Sequence, residues 1–243
     1  HTPLQPSTKN LYFHSKKKMQ PFLLILIALI VIAFASFLLK LLTAANKKKK
    51  SSTLILGLPN SGKTALFYTL RSGKLPKTVS SVQCNQATFK PAHNNQTNKS
   101  INFVDIPGHQ STRHFLDDFL PTAKHIIFLI DAIDFVDDIE DVANYIFDLI
   151  TNDTVGKRKI PISICCNKTE IITAHKSQFI AKKLRKQLAK ISVVPSQIEN
   201  SEYKDSVIAL LKDDEFSFRN LSIPVNFLDV SILKAINLNK ILI

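Results

Sequence analysis

The octapeptide Gly57-Leu58-Pro59-Asn60-Ser61-Gly62-Lys63-Thr64 constrains this chain more than any other feature. It has the pattern G-x-x-x-x-G-K-[ST] and directly follows the short apolar run from Thr53 to Leu56. In loops of this pattern, backbone N–H groups surround the phosphates, the lysine reaches the β and γ oxygens, and the final hydroxyl ligates Mg²⁺. The chain has only five glycines, and two of them lie here. The segment therefore predicts a strand followed by a phosphate-binding loop.

The positive charge of the chain is concentrated near its N-terminus. Residues 1–50 contain nine lysines and no acidic residue, whereas the formal net charge of the whole chain is +13. The remaining residues carry a net charge of only +4, so the high isoelectric point does not indicate a nucleic-acid-binding domain, and we expect no direct DNA binding. The basic face of the helical pattern from Lys176 to Lys190 is interpreted as solvated surface.

A hydrophobic segment lies between two lysine clusters. From Phe22 to Leu39 its only polar residue is Ser36, and the apolar run continues past Lys40 to Leu42. About 21 helical residues span roughly 31 Å, the thickness of a bilayer core. The competing interpretation is a cleaved secretory signal, since Ala33-Phe34-Ala35 has the A-x-A form. That apolar run is long for a signal, so we predict a transmembrane helix over residues 21–43 and a basic linker over 44–52.

Met19 is the only methionine of the chain and stands just before this hydrophobic segment. We hypothesise that translation begins there, so that residues 1–18, within the N-terminal flank of residues 1–20, precede the native start. Lys47 to Lys50 would then be the cluster that sets topology and would place the C-terminal part in the cytosol. The same lysines could also attract anionic lipid.

From residue 53 to 243, apolar runs alternate with segments of helical periodicity. Ile139 to Ile150 and Ile180 to Ile191 repeat apolar residues at helical spacing, and a shorter helix is expected from Tyr203 to Leu211. This alternation predicts an α/β domain with a mostly parallel sheet and helices on both faces. Asn85 to Lys90 is a candidate edge strand, and the tail from Ser231 to Ile243 a candidate last helix. The main predicted strands are Thr53 to Leu56, Ile101 to Asp105, His125 to Asp131, Ile160 to Asn167 and Val225 to Asp229.

The three cysteines, Cys84, Cys165 and Cys166, have neither disulfide-framework nor metal-ligand spacing. A reduced, cytosolic domain fits this pattern. Cys165 and Cys166 are adjacent within a predicted strand, so they are expected to point to its opposite faces.

A second motif, Asp105-Ile106-Pro107-Gly108-His109, ends the predicted strand that begins at Ile101. Asp105 stands 42 residues after Lys63. At that place a carboxylate can hold the Mg²⁺ shell, and the Gly108 N–H can meet the γ-phosphate. This pattern is weak evidence by itself and gains weight because it follows a phosphate-binding loop.

A third motif, Asn167-Lys168-Thr169-Glu170, follows the predicted strand from Ile160. Guanine presents N1–H and N2–H₂ as paired donors, so a carboxylate that accepts both discriminates it from adenine. Glu170 would accept them, Asn167 would orient the loop, and the Lys168 stem would cover the base. The motif resembles the N-K-x-D sequence of regulatory GTPases, with Glu in place of Asp, and argues against an ATP-using P-loop enzyme.

The three motifs in this order, preceded by a lone hydrophobic span and a basic linker, resemble the family of the β subunit of the signal recognition particle receptor. The likeness covers about residues 20 to 232. Arf and Sar GTPases resemble the soluble part, and a switch of that type in membrane trafficking is the alternative, although those proteins use amphipathic segments in place of a span. Further similar segments are Phe115 to Phe119, Ala123 to Phe128, Glu215 to Ser217 and Val225 to Leu228.

The resemblance implies roles for individual residues. Thr64 and Asp105 would serve Mg²⁺, together with a hydroxyl in the first switch, for which Ser80 is favoured over Thr78. His109 stands where many GTPases have a water-orienting glutamine, and could position water or report nucleotide state. The residues expected to bind GTP are Gly57, Pro59, Asn60, Ser61, Gly62, Lys63, Thr64, Gly108, Asn167, Lys168, Glu170 and Ser231.

The resemblance also implies the biology. It indicates a single-pass protein of the endoplasmic reticulum membrane with a cytosolic GTP-binding domain. GTP would gate docking of the receptor's α subunit for co-translational protein targeting, and the ribosome or translocon is a further candidate partner. Hydrolysis of GTP to GDP and phosphate is expected to be slow at most.

Overall fold

The structure is a computed structural model that describes residues 25–34, 36, 51–76, 83–92, 99–112, 114–193, 201–213 and 216–242. The chain divides into two compact units, residues 1–49 and 50–243. In the first unit, residues 25–34 form helix α1 with exposed apolar side chains. No helix within the described residues combines the length and apolarity needed to cross a bilayer. Much of the predicted span 21–43, the flank 1–20 and residues 44–50 of the linker lie outside the described residues.

The second unit is built on a six-stranded sheet. The strand order is β2-β3-β1-β4-β5-β6, and every neighbouring pair is parallel except β2 and β3, which are antiparallel. The predicted, mostly parallel sheet is therefore confirmed, with the strand near Asn85 at its edge. The strands are β1 (Ser52–Gly57), β2 (Asn85–Phe89), β3 (Ile101–Asp105), β4 (Ala123–Asp131), β5 (Ile162–Asn167) and β6 (Val225–Asp229).

Both long predicted helices and the shorter one after residue 201 are confirmed. The expected last helix is wrong in its extent, because the tail forms an isolated bridge between Ser231 and Ile236 and then a 3₁₀ helix, Leu238–Leu242. Left-handed backbone at Ala235 and Asn237 interrupts a continuous α-helix there. The helices are α2 (Lys63–Ser72), α3 (Phe115–Phe119), α4 (Ile139–Ile150), α5 (Asp153–Arg158), α6 (Ser177–Val193) and α7 (Glu202–Leu211).

Two hydrophobic cores cover the two faces of the sheet. One contains Leu54, Leu56 and apolar side chains of α4, α6 and α7, whereas the other contains Ile55 and side chains of α2 and the C-terminal 3₁₀ helix. Cys165 belongs to the second core and Cys166 to the first, as the alternation of side chains along a strand predicts. With both faces covered, the open edge at the strand ends remains for polar chemistry.

Helix α5 packs against α7 through a glycine. A Cβ atom added at Gly156 would lie 2.2 to 2.4 Å from ring atoms of Tyr203, whose hydroxyl donates to the Ile150 carbonyl at 2.9 Å. We expect Gly156→Ala to lower the free energy of unfolding by about 2 kcal/mol, because the methyl group overpacks this contact. Urea denaturation of the single and double variants measures it. In a Tyr203→Ala background the same change should cost much less, and an equal cost in both backgrounds would contradict the explanation.

Candidate nucleotide-binding site

The predicted motifs meet at one edge of the sheet. The phosphate-binding loop follows β1, the second motif follows β3, the third follows β5, and Ser231 lies just after β6. These strands are parallel, so their carboxyl ends share one edge, which is where open α/β sheets bind ligands. The topology therefore brings together residues separated by up to about 170 positions in the chain.

The loop between β1 and α2 has backbone that requires glycine. Gly57 and Gly62 have φ of 137° and 98°, and a Cβ at Gly57 would lie 2.2 Å from the Leu129 carbonyl oxygen. Asn60, with φ of 61°, is exposed together with Pro59. The Ser61 hydroxyl donates to the Leu58 carbonyl at 2.8 Å. Successive turns of this kind aim backbone N–H groups into an anion-binding concavity at the start of α2.

Lys63 is the cation of this loop. Its side chain is buried, with 6% exposed, and its Nζ donates to the Leu58 carbonyl at 2.6 Å. Burial lowers the pKa of Lys63 to about 8, and the nearby Asp105 carboxylate only partly opposes that shift. A negatively charged group beside Nζ would favour the protonated ammonium. The phosphates of a nucleotide carry such a charge.

Gly108 lies directly against the loop. A Cβ atom there would be 2.5 Å from the Gly57 carbonyl oxygen and 2.6 Å from Lys63 Nζ. The second motif therefore approaches the lysine as closely as a residue without a side chain allows. A group bound beside Lys63 would be in reach of the backbone of Gly108.

Asp105 and Thr64 form the corner suited to a metal ion. The Asp105 side chain is fully buried, and its Oδ2 accepts hydrogen bonds from Thr64 Oγ1 at 2.8 Å and Asn85 Nδ2 at 3.0 Å. Its Oδ1 is buried and has no hydrogen-bond partner among the described residues. Burial raises the pKa of Asp105 above its usual value. The Thr64 hydroxyl and the Asp105 carboxylate, in contact with each other, are oxygen donors of the kind that Mg²⁺ prefers.

The remaining metal candidates, Ser80 and Thr78, lie outside the described residues. Asn85 was not identified from the sequence as part of the site. Its place in β2, opposite Asp105 in the antiparallel ladder, follows from strand register, which no local sequence signal specifies.

Asn167 belongs to the third motif, which is predicted to recognise guanine and is called the guanine-side motif below. Its side chain connects this motif to the phosphate-binding loop. Its Nδ2 donates to the Ser61 carbonyl at 3.0 Å, and its Oδ1 accepts from the Ile232 N–H at 3.2 Å. A Cβ at Gly62 would lie 2.5 Å from the same Nδ2. A single buried amide thus fixes the spacing between three loops.

Lys168 and Glu170 follow on the same turn. Lys168 has left-handed backbone, with φ of 67°, and its Nζ forms an ion pair with Asp131 at the end of β4. Asp131 also accepts from the Ile133 N–H at 3.0 Å. The Glu170 Oε2 is buried and unpartnered within the described part of the chain, as expected of a carboxylate placed to accept donors from a ligand.

Ser231 and His109 differ in how they relate to this edge. Ser231 is fully buried, and its N–H donates to the Ile236 carbonyl at 3.3 Å, which holds the loop after β6. The His109 side chain is exposed, and its Nδ1 forms a hydrogen bond with the Ser111 hydroxyl at 2.8 Å. The imidazole is therefore hydrogen-bonded to a residue two positions along the same segment. Both predicted roles of His109, positioning water and reporting the nucleotide state, stay predictions.

Because the Asp105 carboxylate is buried, replacing it should have opposite effects on the stability of the nucleotide-free protein and on Mg²⁺-dependent GTP binding. Its raised pKa means that ionisation disfavours the folded state, so the destabilisation is present at pH values above its unfolded-state pKa. We therefore expect Asp105→Asn to raise the stability of the nucleotide-free protein at pH 7. The same change should remove most of the enhancement of GTP binding by Mg²⁺, because an amide is a poorer ligand than a carboxylate.

Thermal unfolding and GTP titrations with Mg²⁺ or EDTA measure the two effects. Asp117→Asn, at an exposed position of α3, is the matched control and should change neither. A variant that keeps the full Mg²⁺ enhancement would rule out Asp105 as part of the metal site.

Comparisons with known proteins agree with this geometry. Residues 48–225 match the family described as the signal recognition particle receptor beta subunit. The chain is 32% identical to that subunit from Rattus norvegicus over 183 residues, which cover 73% of this chain and 67% of the rat protein. The solved structure of the mammalian SRP receptor is 31% identical to this chain and superimposes with a TM-score of 0.66. The superposition covers 78% of this chain and 99% of the matched chain of that structure.

A solved structure of the Chaetomium thermophilum signal recognition particle receptor SRb with GDP and Mg shares the fold. It has a TM-score of 0.54 and 21% identity, with coverage of 77% of this chain and 92% of that one. The family match over most of the chain, together with a relative above 30% identity, carries the assignment. The chain belongs to the family of the signal recognition particle receptor beta subunit.

Proposed function

We propose that this protein binds GTP with Mg²⁺ at the carboxyl edge of its sheet and that the bound GTP gates docking of the receptor's α subunit. The bond network of Asn167 is the observation that carries the proposal, because it couples the phosphate loop, the guanine-side motif and the loop after β6. A ligand that contacts all three loops is a nucleotide with both base and phosphates in place. Family membership supports the same assignment.

The proposed roles follow the chemistry of each group. Lys63 and the backbone of residues 57–64 hold the phosphates, Thr64 and Asp105 hold Mg²⁺, and Gly108 senses the γ-phosphate. Asn167, Lys168 and Glu170 hold the guanine base, and Ser231 lies beside it. The close approach of Gly108 to Lys63 makes this segment the element through which the γ-phosphate changes the docking surface.

The proposed place of action is the endoplasmic reticulum membrane. A single span over residues 21–43 and the linker over 44–52 would anchor the domain over 53–243 on the cytosolic side, as the hydrophobic segment and Lys47 to Lys50 predict. The domain would then hold the α subunit at the membrane. A mass-tagging experiment on the intact membrane, with a cysteine introduced before and after the span, tests this topology.

Affinity capture tests the gating. The full chain in detergent, loaded with a non-hydrolysable GTP analogue or with GDP, is incubated with the α subunit, and the retained fraction is measured. We expect strong retention with the GTP analogue and weak retention with GDP, since only the γ-phosphate can order the segment at Gly108. Gly108→Ala should abolish that difference, whereas Gly73→Ala, which adds a methyl group at the end of α2, should keep it. Equal retention of the α subunit by both loaded forms would refute the gating.

Hydrolysis should be slow without a further protein. His109 is exposed, and its described hydrogen bond is to the nearby Ser111 hydroxyl, so the described contacts of the imidazole do not fix it against the phosphate-binding loop. Single-turnover measurement of GTP cleavage should give a rate far below the 1 to 10³ s⁻¹ that is typical of enzymes. Fast unassisted turnover would contradict this expectation.

A further inference from the structure

A cavity lies at the opposite edge of the sheet from the nucleotide-binding site. It has a volume of about 380 Å³ and is formed by the amino-terminal ends of β1, β3 and β4 and by Pro161 before β5. Volumes of this size are typical of sites for small ligands. β1 has six residues, which at about 3.3 Å each separate the two edges by roughly 20 Å.

The groups around this cavity are those that recognise anions. Lys99 and Lys124 contribute two exposed ammonium groups, and Ser51 and Ser100 contribute exposed serine side chains. None of the described residues that line it is acidic. Lysine acts as a point-charge donor to phosphate groups, and hydroxyls can donate to the remaining oxygens.

Lys124 occupies an irregular position of the sheet. In the parallel pair of β1 and β4, Ser52 is opposite Ala123 and Thr53 is opposite His125, so Lys124 is an extra residue in β4. Such bulges redirect a side chain and are over-represented next to active sites. Regular pairing of β1 and β4 would need no extra residue at this position. The bulge therefore supports a functional cavity independently of the positive charge of Lys99 and Lys124.

The neighbouring polar groups of the cavity are already engaged, which leaves the lysines as its charged groups. His125 Nε2 lies 2.9 Å from the Ser163 hydroxyl, and Ser52 Oγ lies 3.0 Å from Thr122 Oγ1. Burial lowers the pKa of His125 to about 4, so the imidazole is neutral near pH 7. His125 therefore adds no positive charge to the cavity near pH 7.

The chain enters the domain at this edge. Ser51 lines the cavity, and the preceding four residues in the sequence are Lys47 to Lys50. A basic stretch beside a hydrophobic segment attracts anionic headgroups, and in the sequence this stretch ends at the residue before Ser51. This adjacency distinguishes the cavity from the basic face of α6, which is far from residue 51 in sequence.

We propose that the cavity between Lys99 and Lys124 binds a phosphate monoester, either on a lipid headgroup or on a soluble molecule. Binding there leaves the carboxyl edge of the sheet free for nucleotide. Anchoring the amino edge to a phosphorylated headgroup would thus hold the docking face away from the bilayer surface.

Calorimetric titration of the full chain in detergent, saturated with GTP and Mg²⁺, tests the site. Inositol 1,4-bisphosphate and inorganic phosphate are the soluble probes, and native mass spectrometry counts phosphatidylinositol 4-phosphate retained from doped micelles. We expect binding of inositol bisphosphate that weakens about tenfold or more in Lys99→Gln/Lys124→Gln, since each lysine near a phosphate contributes a several-fold attraction. Retention of the lipid should fall in the same variant.

The matched control is Lys182→Gln/Lys186→Gln, which removes the same charge from exposed positions of α6 and should bind like the unaltered protein. Preference for inositol bisphosphate and its lipid over inorganic phosphate assigns the headgroup as the source, whereas comparable binding of inorganic phosphate assigns a soluble one. Equal weakening in both double variants, or no binding of any probe at 10 mM, overturns the proposal.

Discussion

Replacing Lys63 with alanine is expected to weaken GTP binding about 1000-fold. The buried ammonium would make charge-assisted hydrogen bonds to two phosphate oxygens, each contributing about 1.5 to 3 kcal/mol, and roughly 4 kcal/mol corresponds to that factor. Because Nζ already sits in the loop, bonded to the Leu58 carbonyl, no rearrangement of the fold is needed to deliver the charge. Titration of GTP by calorimetry measures the loss.

The lowered pKa of Lys63 adds a second signature to the same variant. Only the protonated side chain attracts phosphate, and with a pKa of about 8 the protonated fraction falls as the pH rises past 8. From pH 7.5 to 9, the affinity of the unaltered protein for GTP should drop about eightfold, because binding must then take up a proton. Lys63→Ala should lack that drop.

Lys74→Ala is the matched control, since it removes an exposed lysine just after α2. It should keep both the affinity for GTP and its dependence on pH. A Lys63→Ala protein that binds GTP within tenfold of the original, with unchanged thermal stability, would show that phosphate is held elsewhere.

Glu170→Gln is expected to exchange the preferred base from guanine to xanthine. A carboxylate accepts hydrogen bonds from both N1–H and N2–H₂ of guanine. In glutamine, one of the two carboxylate oxygens is replaced by an NH₂ group, which would face the N2–H₂ donor of guanine and could not pair with it. Xanthine has a carbonyl at that position, and the NH₂ group can donate to it. A lost charged pair costs about 1.5 to 3 kcal/mol, and a complementary pair forms with xanthine. The ratio of the GTP to XTP affinities should fall by about 100- to 1000-fold.

Competition between labelled GTP and XTP measures the exchange. Glu202→Gln, on the exposed first turn of α7, is the matched control and should preserve the preference for GTP. If Glu170→Gln weakens both nucleotides equally, the carboxylate supports the loop and does not read the base. Its Oε2 is buried and has no hydrogen-bond partner among the described residues, which makes direct reading of the base the expected result.

The sequence predicted the secondary-structure elements along which apolar residues recur several times. Five strands and the helices α4 and α6 were found because apolar residues recur along each of them at the spacing of a covered face. The short helices α3 and α5 were not predicted, since five or six residues carry too little periodicity. α5 is instead set by a cap, in which the Asn152 side chain accepts from the N–H groups of Thr154 and Val155.

The site shows the same division. The motif residues were identified from their types and order, but Asn85 and Asp131 were not. Asn85 reaches Asp105 through an antiparallel register, and Asp131 reaches Lys168 because β4 and β5 are neighbours. Contacts across a sheet depend on strand order, and no local pattern encodes strand order.

The sequence by itself determined the class of this protein: a phosphate-binding loop, two further motifs in order, and a hydrophobic segment near the N-terminus. Motifs of this kind are local because the backbone geometry that binds phosphate is local. Only the tertiary structure decided that the Asn167 amide joins three loops, that the Asp105 carboxylate is buried with one oxygen unpartnered among the described residues, and that Lys124 lies in a bulge beside a cavity at the opposite edge of the sheet. Those features arise from burial and register, which exist only after distant segments pack together.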